Sequence, residues 1–508
     1  MHSRDEIARP KYDVVVVGGG NAGFSAAHAA KEAGATVLII EKGSESEAGG
    51  NSFYTAGAFR VAHDGLDALA PYLDAPTRAR LHDSVVEPYR VEDFEGDMHR
   101  VTEGRTDPRM AHLLCTESAD IVPWLASKGI RWRLMYERQS YLSDGKSVFF
   151  GGLALGIVDG GKGLIRQHTA SAKASGIDIH YGTELIDIHL EDGAVTGIEV
   201  RDLAGTTADI QANAVVLAAG GFEADADRRE QYLGKGWGMA FVRGTPLNTG
   251  DALQLALGIG AAPHGDWSSC HSVAWDVGGP PGGGDRELTN QRTRQSYPIG
   301  IVVNVEGKRF LDEGGDFRNY TYAKYGAVIL QQPEGRAFQV FDAKTRPLLR
   351  TEEYDSSDVT EAQADSIEQL GVLMGVDVGQ FVATVSEFNT SIVPRPFDPA
   401  VKDGRAALVT PPKSNWAIAI DTPPFYAFAV TCGITFTFGG LRVDDSARVL
   451  SESGEPIPGL YAAGEIVGGL FSGNYPGGSG LTAGTVYGRI AGFQAAAATV
   501  GASESAAG

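Results

Sequence analysis

Residues 12–41 read YDVVVVGGGNAGFSAAHAAKEAGATVLIIE, and this stretch decides the fold. The run Val14–Val17 has the length and β-branching of a strand buried on both faces. It leads directly into Gly18-x-Gly20-x-x-Gly23, after which Phe24, Ala27, Ala30 and Ala33 recur at helical spacing. A second apolar run, Val37–Ile40, ends on Glu41. Strand, glycine turn, helix and strand in that order predict the first unit of a dinucleotide fold. Gly18 permits the tight turn, Gly20 lets backbone approach a pyrophosphate, and Gly23 lets helix pack closely on strand. The helix N-terminus offers free N–H groups and a partial positive charge to the phosphates. Glu41 is placed to accept both hydroxyls of an adenosine ribose, and its charge disfavours a 2′-phosphate. Three glycines alone would fit a loop or a capping device. Their setting between strand and helix is what points to an adenine dinucleotide.

Composition sets the limits. A chain of 508 residues is expected to form two or three lobes rather than one core. A formal charge of −21 argues against nucleic acid and anionic membrane surfaces as partners, so an anionic substrate needs a local cationic pocket. Cys115, Cys270 and Cys432 have neither CxxC spacing nor a companion histidine cluster. They read as buried apolar side chains, with no disulfide framework and no metal centre expected. The opening residues MHSRDEIARPKYD are charged and lack the apolar core of a signal peptide. No stretch approaches the roughly 18 apolar residues of a membrane helix. The expectation is a cytoplasmic protein that does not itself span a membrane.

Further along, Gly49, Gly50, Asn51 and Ser52 form a small hydrogen-bonding loop where such folds lay the far half of the cofactor. Tyr54, Ala56 and Gly57 then let the chain press against a flat group; a mobile turn is the plain alternative. Residues 75–130 read as surface helices with i, i+4 charge pairs. Gly160-Gly161-Lys162-Gly163 opens a helix from Leu164 to Ala174, followed by a strand over 176–181. Strands Leu185–Leu190 and Val195–Arg201 are joined by the turn Glu191-Asp192-Gly193. Ala214–Ala219 is a buried strand closed by Gly220-Gly221, a second close backbone approach at the carboxyl end of the sheet. At the far end, Pro458–Ala463 is a strand running into Gly464-Glu465. The loop Gly473-Asn-Tyr-Pro-Gly-Gly-Ser-Gly480 feeds a helix from Leu481 to Ala496, whose N-terminus favours negative charge on a ring carbonyl. The expected fold is α/β, a Rossmann-like domain built from both termini with an inserted α+β capping domain. The segments are 1–264 and 433–495 for the nucleotide domain, 265–432 for the cap, and 496–508 for a disordered tail.

Residues 12–60, 214–222 and 459–492 resemble the flavoprotein family of fumarate reductase, succinate dehydrogenase and 3-ketosteroid dehydrogenase. Three segments of the inserted lobe look like the tricarballylate dehydrogenase branch: Gly265-Asp-Trp-Ser-Ser-Cys-His-Ser-Val-Ala-Trp-Asp276, Phe310-Leu-Asp-Glu-Gly-Gly-Asp-Phe-Arg-Asn-Tyr-Thr-Tyr-Ala-Lys-Tyr325 and Cys432-Gly-Ile-Thr-Phe-Thr-Phe-Gly-Gly440. The resemblance implies FAD at the Rossmann lobe and a mobile cap that closes over the isoalloxazine. Covalent attachment in membrane-bound relatives uses a histidine shortly before the Gly49-Gly50 pair. The segment Lys42–Ala48 has none, so non-covalent FAD is expected. The expected cofactor contacts from the N-terminal part are Gly18, Gly20, Asn21, Ala22, Gly23, Glu41, Lys42, Gly49, Gly50, Asn51, Ser52 and Gly57. Later segments add Leu185, Ala219, Gly220, Asp251, Gly464, Glu465, Ser479, Gly480, Leu481 and Thr482.

Flavin chemistry at a CH–CH bond moves a hydride to or from N5 while an acid/base group handles the neighbouring proton. It needs anion clamps, that acid/base group and a dry closed site. In fumarate reductase the acid is an arginine following an Arg-Phe-x-x-Glu segment of the cap. This chain has Arg309-Phe-Leu-Asp-Glu313 and then Arg318, one residue further on. Arg318 is therefore the acid/base candidate, with Tyr320 and Glu313 as proton-relay neighbours. The alternative is that Arg318 clamps a carboxylate bidentately, since arginine's high pKa makes it a poor base. Two departures matter: the family's substrate-binding histidine appears as Phe436, and its carboxylate-binding arginine as Tyr475. Both make fumarate itself a poor fit. Tyr475-Pro476-Gly477 is instead similar to the ketosteroid dehydrogenase loop, whose tyrosine hydrogen-bonds a carbonyl. His271, Arg60, Arg243, Arg292 and Arg294 remain as cationic candidates for a substrate carboxylate; a satisfied structural histidine is the plain reading of His271, and a solvated turn that of the last two.

Three functions compete. The first is an FAD-dependent dehydrogenase of a polycarboxylate, of the tricarballylate to cis-aconitate type. The second is a desaturase or ene-reductase of a neutral carbonyl substrate, which Tyr475 and Phe436 favour. The third, a non-catalytic FAD-binding electron-transfer subunit, leaves Arg318 without a task. No haem-attachment or iron–sulfur cysteine spacing occurs, so electrons must reach a separate partner or small acceptor.

Overall fold

The computed structural model describes residues 11–356 and 358–506; the charged segment 1–10 lies outside the described residues. Its organising strand is β1, Lys11–Val17, followed by helix α1, Asn21–Glu32, and strand β2, Val37–Glu41. Val14, Val15 and Val16 are fully buried, as are Leu38 and Ile39 beside them, because β1 lies in the interior of a parallel sheet. On its other side β1 pairs in parallel with β3, Thr207–Leu217. That long strand changes neighbour half-way. Its first half is antiparallel to Ala194–Asp202, while Val215–Leu217 run parallel to β6, Pro456–Ala462. The carboxyl ends of β1, β3 and β6, drawn from both ends of the chain, therefore meet side by side. Asp192 and Gly193 both have positive φ, the conformation the predicted hairpin turn between Thr183–Glu191 and Ala194–Asp202 demands.

Helix α2, Ser479–Ala506, lies against α1. A Cβ at Gly488 would collide with the Ala22 carbonyl oxygen and one at Gly492 with that of Ala26, so these glycines set the close approach of the two helices. Asn21 fastens the pair by donating to the Leu481 carbonyl at 2.8 Å and to Thr485 Oγ1 at 3.0 Å. The helix does not stop at Ala496. It continues to Ala506, correcting the disordered tail expected from 496; residues 507–508 lie outside the described residues. Alanine favours helix, and Ala495, Ala496 and Thr499 are buried, so packing supports the extension.

The second sheet is built on β5, Phe425–Leu441, a strand of 17 residues. It pairs antiparallel with β4, Pro263–Asp276, and with Ala337–Asp342, and in parallel with Phe241–Val242. The seam expected at 432 runs through the middle of β5. One strand thus belongs to the cap at its start and reaches the nucleotide lobe at Thr435–Phe438. Cys115, Cys270 and Cys432 are buried free thiols. Among the described residues, no helix is long and apolar enough to cross a membrane. On the outer strands Asp187, His189 and Glu199 bring ligand atoms within 4.8 Å of one another, a grouping the sequence reading did not anticipate.

Candidate active site

One continuous cavity, lined by Gly18–Ala22 at one end and by Arg318 and Tyr322 at the other, runs from the glycine turn to the face of the cap. At one end Gly18, with φ +110°, passes so close to β3 that a Cβ would strike the Ala218 carbonyl oxygen. Gly23 makes the same close approach to Gly18, without itself lining the cavity. Gly20 caps α1 without a side-chain bond of its own; the Asn21 N–H donates to Ser52 Oγ at 3.0 Å, and Gly20, Asn21 and Ala22 line the cavity. Glu41 closes the wall, accepting N–H bonds of 2.8 Å from Gly19 and Gly43. Burial pushes its carboxyl up from the ordinary range, while these backbone donors pull it back. Lys42 is held by Asp251 at 2.8 Å and Glu184 at 3.0 Å beside Leu185. Gly50, Asn51, Ser52, Ala219, Gly220, Gly464, Glu465, Gly480 and Leu481 complete this part.

Four other expected cofactor residues stand one layer back. Gly49 abuts Ile165, and Gly57 crosses the Gly160 backbone, both at positive φ. Ser479 bonds the Pro476 carbonyl and Thr482 that of Arg60, so both brace the C-terminal loop instead of facing the cavity.

At the cap end Arg318, 4 % exposed, lines the cavity from a short 3₁₀ turn. Its guanidinium reaches Gln295 Oε1 at 3.4 Å and Gln139 Oε1 at 3.5 Å, long contacts between a cation and neutral amides. The expected relay neighbours are elsewhere. Tyr320 points its hydroxyl to Gly151, Asp97 and Arg60, and Glu313 is buried against Arg309 and the Val302 amide. The alternation of directions in a tight turn separates Tyr320 from Arg318, and the Arg309–Glu313 pair is spent on the cap's own core. Behind Gln295 stand Arg350, at 3.0 Å from its Oε1, and Glu353.

Three of the cationic candidates are committed to the protein. Arg60 is fully buried and donates to the carbonyls of Gly477 and Gly151 and to two tyrosine hydroxyls. Arg292 pairs with Asp285 and Asp358, and fully buried Arg294 with Asp276. None of the three lines the cavity. His271 sits behind the wall, with both ring nitrogens lacking a hydrogen-bond partner. It stacks on Phe436 at 5.1 Å and meets Tyr322 and Tyr475 edge-on. Burial, then Arg243, hold its pKa well below the ordinary value, so it is neutral and supports the aromatic wall. Arg243 does line the cavity; among the described residues it has no carboxylate partner, and its Nη1 donates to Thr435 Oγ1 at 2.9 Å. Phe436 and Tyr475 line it too, and the Tyr475 hydroxyl is hydrogen-bonded to that of Tyr322. Tyr322, Gln139 and Gln295 were not singled out from the sequence. Tyr322 follows Arg318 by one helical turn, the only local signal it carries.

A glycine turn on an open helix end, an acid closing the second strand and a capped cavity define a Rossmann-type dinucleotide-binding protein with a substrate chamber. The residues present fit FAD: the bare cradle at Gly18–Gly20 accepts phosphates, and polar walls continue to the cap. The profile described as "FAD binding domain" matches residues 13–481. "Fumarate reductase (cytochrome)" of Shewanella frigidimarina is 30% identical over 487 residues, spanning 95% of this chain and 77% of the relative. The open conformation of a flavocytochrome c3 fumarate reductase superposes with a TM-score of 0.72 at 27% identity, covering 97% of this chain and 79% of that one. The 3-ketosteroid Δ1-dehydrogenase of Sterolibacterium denitrificans shares the fold, with a TM-score of 0.71 at 22% identity over 96% of this chain and 100% of its own. The chain belongs to the FAD-binding family that this profile describes, is similar over nearly its whole length to fumarate reductase, and is an FAD-dependent oxidoreductase.

Proposed function

We propose that the chain dehydrogenates a polycarboxylate at a CH–CH bond, a reaction of the tricarballylate to cis-aconitate type. The observation that carries this reading is a pair of nearly buried arginines, Arg243 and Arg318, that line the cavity without a carboxylate partner among the described residues. Leaving such charges unpaired is costly, and a chain of net charge −21 has acids to spare for them. Substrate carboxylates are the partners that match. Gln139 and Gln295 add neutral donors from the same wall. FAD, when bound, supplies the hydride acceptor; the protein's part is to orient the substrate, exclude water and hold the departing proton. Arg318 is the residue placed to do the last, as acid/base group or as the clamp that fixes the bond beside one. Electrons then leave to a separate partner or acceptor.

The Tyr322–Tyr475 hydroxyl pair favours a second reading, desaturation or reduction beside a neutral carbonyl, because the pair offers a hydrogen-bond donor in an aromatic wall. Anaerobic flavin bleaching separates the two. Bleaching by tricarballylate and not by saturated ketones supports the first; the reverse pattern rejects it.

A further inference from the structure

Behind the cofactor end of the cavity two glutamates meet where neither has a cation. Glu223 is fully buried. Its Oε1 accepts from Asn51 Nδ2 at 2.6 Å and Asn248 Nδ2 at 2.7 Å, while its Oε2 faces no donor. The carboxyl of Glu465 lies within hydrogen-bonding reach of it. Glu465 accepts the Thr437 amide at 2.8 Å, and Asn248 leans between the two acids, 3.5 Å from Glu465 Oε2. Two carboxylates in contact offer only acceptors to each other; the contact is attractive only with a proton in it. Among the described residues no lysine or arginine forms an ion pair with either acid. Arg229, a neighbouring cation, bonds the backbone carbonyl of Glu223 and not its carboxylate. Cys270, also in the field of this group, and Cys432 beside it are thiols that burial pushes up.

We infer that Glu223 is a positioning residue for the cofactor: it shares one proton with Glu465, and that shared proton holds Glu465, Asn51 and Asn248 in place along the cavity wall. All three line the cavity, whereas Glu223 does not. Loss of the proton would leave two negative charges side by side, drive the acids apart and move both asparagines, in a cavity that must also accept a pyrophosphate. Burial first, and then repulsion from Glu223, raise the Glu465 carboxyl well above the ordinary carboxylate range, the direction that favours keeping a proton in the contact. The inference rests on FAD as the cofactor, which a titration near pH 6 checks by itself.

The test is FAD affinity from flavin fluorescence titration of the refolded or deflavinated full chain between pH 6 and pH 10. The wild type should weaken by about ten-fold or more across this range, and Glu223→Gln, which keeps a donor in the contact at every pH, should stay flat within about two-fold. Thermal unfolding of the apo protein gives a reading free of cofactor: Glu223→Gln should gain melting temperature over wild type as pH rises, and infrared difference spectra should lose the protonated-carboxyl C=O band. A wild-type affinity indifferent to pH, or a Glu223→Gln profile parallel to the wild type, overturns the shared proton. So does an affinity that depends on sodium or potassium and vanishes in choline chloride, which would put a cation in its place. Should Glu223→Gln fail to fold, the wild-type band and pH profile decide alone. No FAD binding even at pH 6 would instead sink the cofactor assignment.

Discussion

Replacing Arg243 with methionine should have two opposite effects. Arg243 is 8 % exposed, and its guanidinium is unpaired by any carboxylate among the described residues and donates to the Thr435 hydroxyl. Burial pushes its pKa down, the mark of a charge the fold does not compensate. Methionine fills much of the same volume without the charge. Relief of an unpaired buried charge is worth about 1–3 kcal/mol to the ligand-free protein. Unfolding entropy is about 2.1 cal/mol/K per residue, so for 508 residues each kcal/mol raises the melting temperature by only about 1 °C. Arg243→Met should therefore melt about 1–3 °C higher than wild type. Its affinity for a carboxylate substrate should fall in the other direction. A charge-assisted hydrogen bond contributes about 1.5–3 kcal/mol, a loss of roughly 10- to 150-fold. Thermal scans of the apo protein and flavin-absorbance titrations with tricarballylate read the two effects separately. Unchanged affinity, or a variant that melts several degrees lower, would refute the view that this arginine waits for an anion.

Arg318→Ala should lower turnover by at least about 100-fold while the bound-flavin spectrum persists; turnover within a few-fold of wild type removes Arg318 from the chemistry. Gly18→Ala sets a Cβ against the Ala218 carbonyl at a φ of +110°. Strain of about 1–3 kcal/mol should weaken FAD roughly 5- to 150-fold, and a fully loaded variant with wild-type affinity would contradict the cradle. His28, buried between α1 and Gly160–Ala174, has its pKa pushed down to about 4 by burial. Because the unfolded chain takes up this proton first, stability is full above about pH 6.5 and falls as pH drops toward 4, by about 3 kcal/mol. Melting curves between those limits should show the slope, and His28→Phe should lessen it; equal slopes would discount the histidine.

What the sequence determined by itself was the local grammar. An apolar β-branched run, a glycine turn and an acid after the next run can only be satisfied together by a strand, helix and strand around a phosphate, so β1, α1, β2 and Glu41 stand where their spacing put them. The return of the C-terminal segment to this sheet was legible for the same reason, in Pro458–Glu465 and the glycine loop after it. Tertiary structure alone decided which charges are free. Arg60, Arg292 and Arg294 look no different from Arg243 and Arg318 in a string of letters, yet Asp97, Asp276, Asp285 and Asp358 reach the first three, Asp285 from only seven positions away and Asp358 from 66, and reach neither of the others. The same holds for Tyr320 and Tyr322, two residues apart and pointing to opposite sides of a wall, and for Glu223, whose partner lies 242 positions away. Periodicity and turn chemistry act over a few residues; ion pairing and burial act across the whole fold, and only the folded chain brings those partners together.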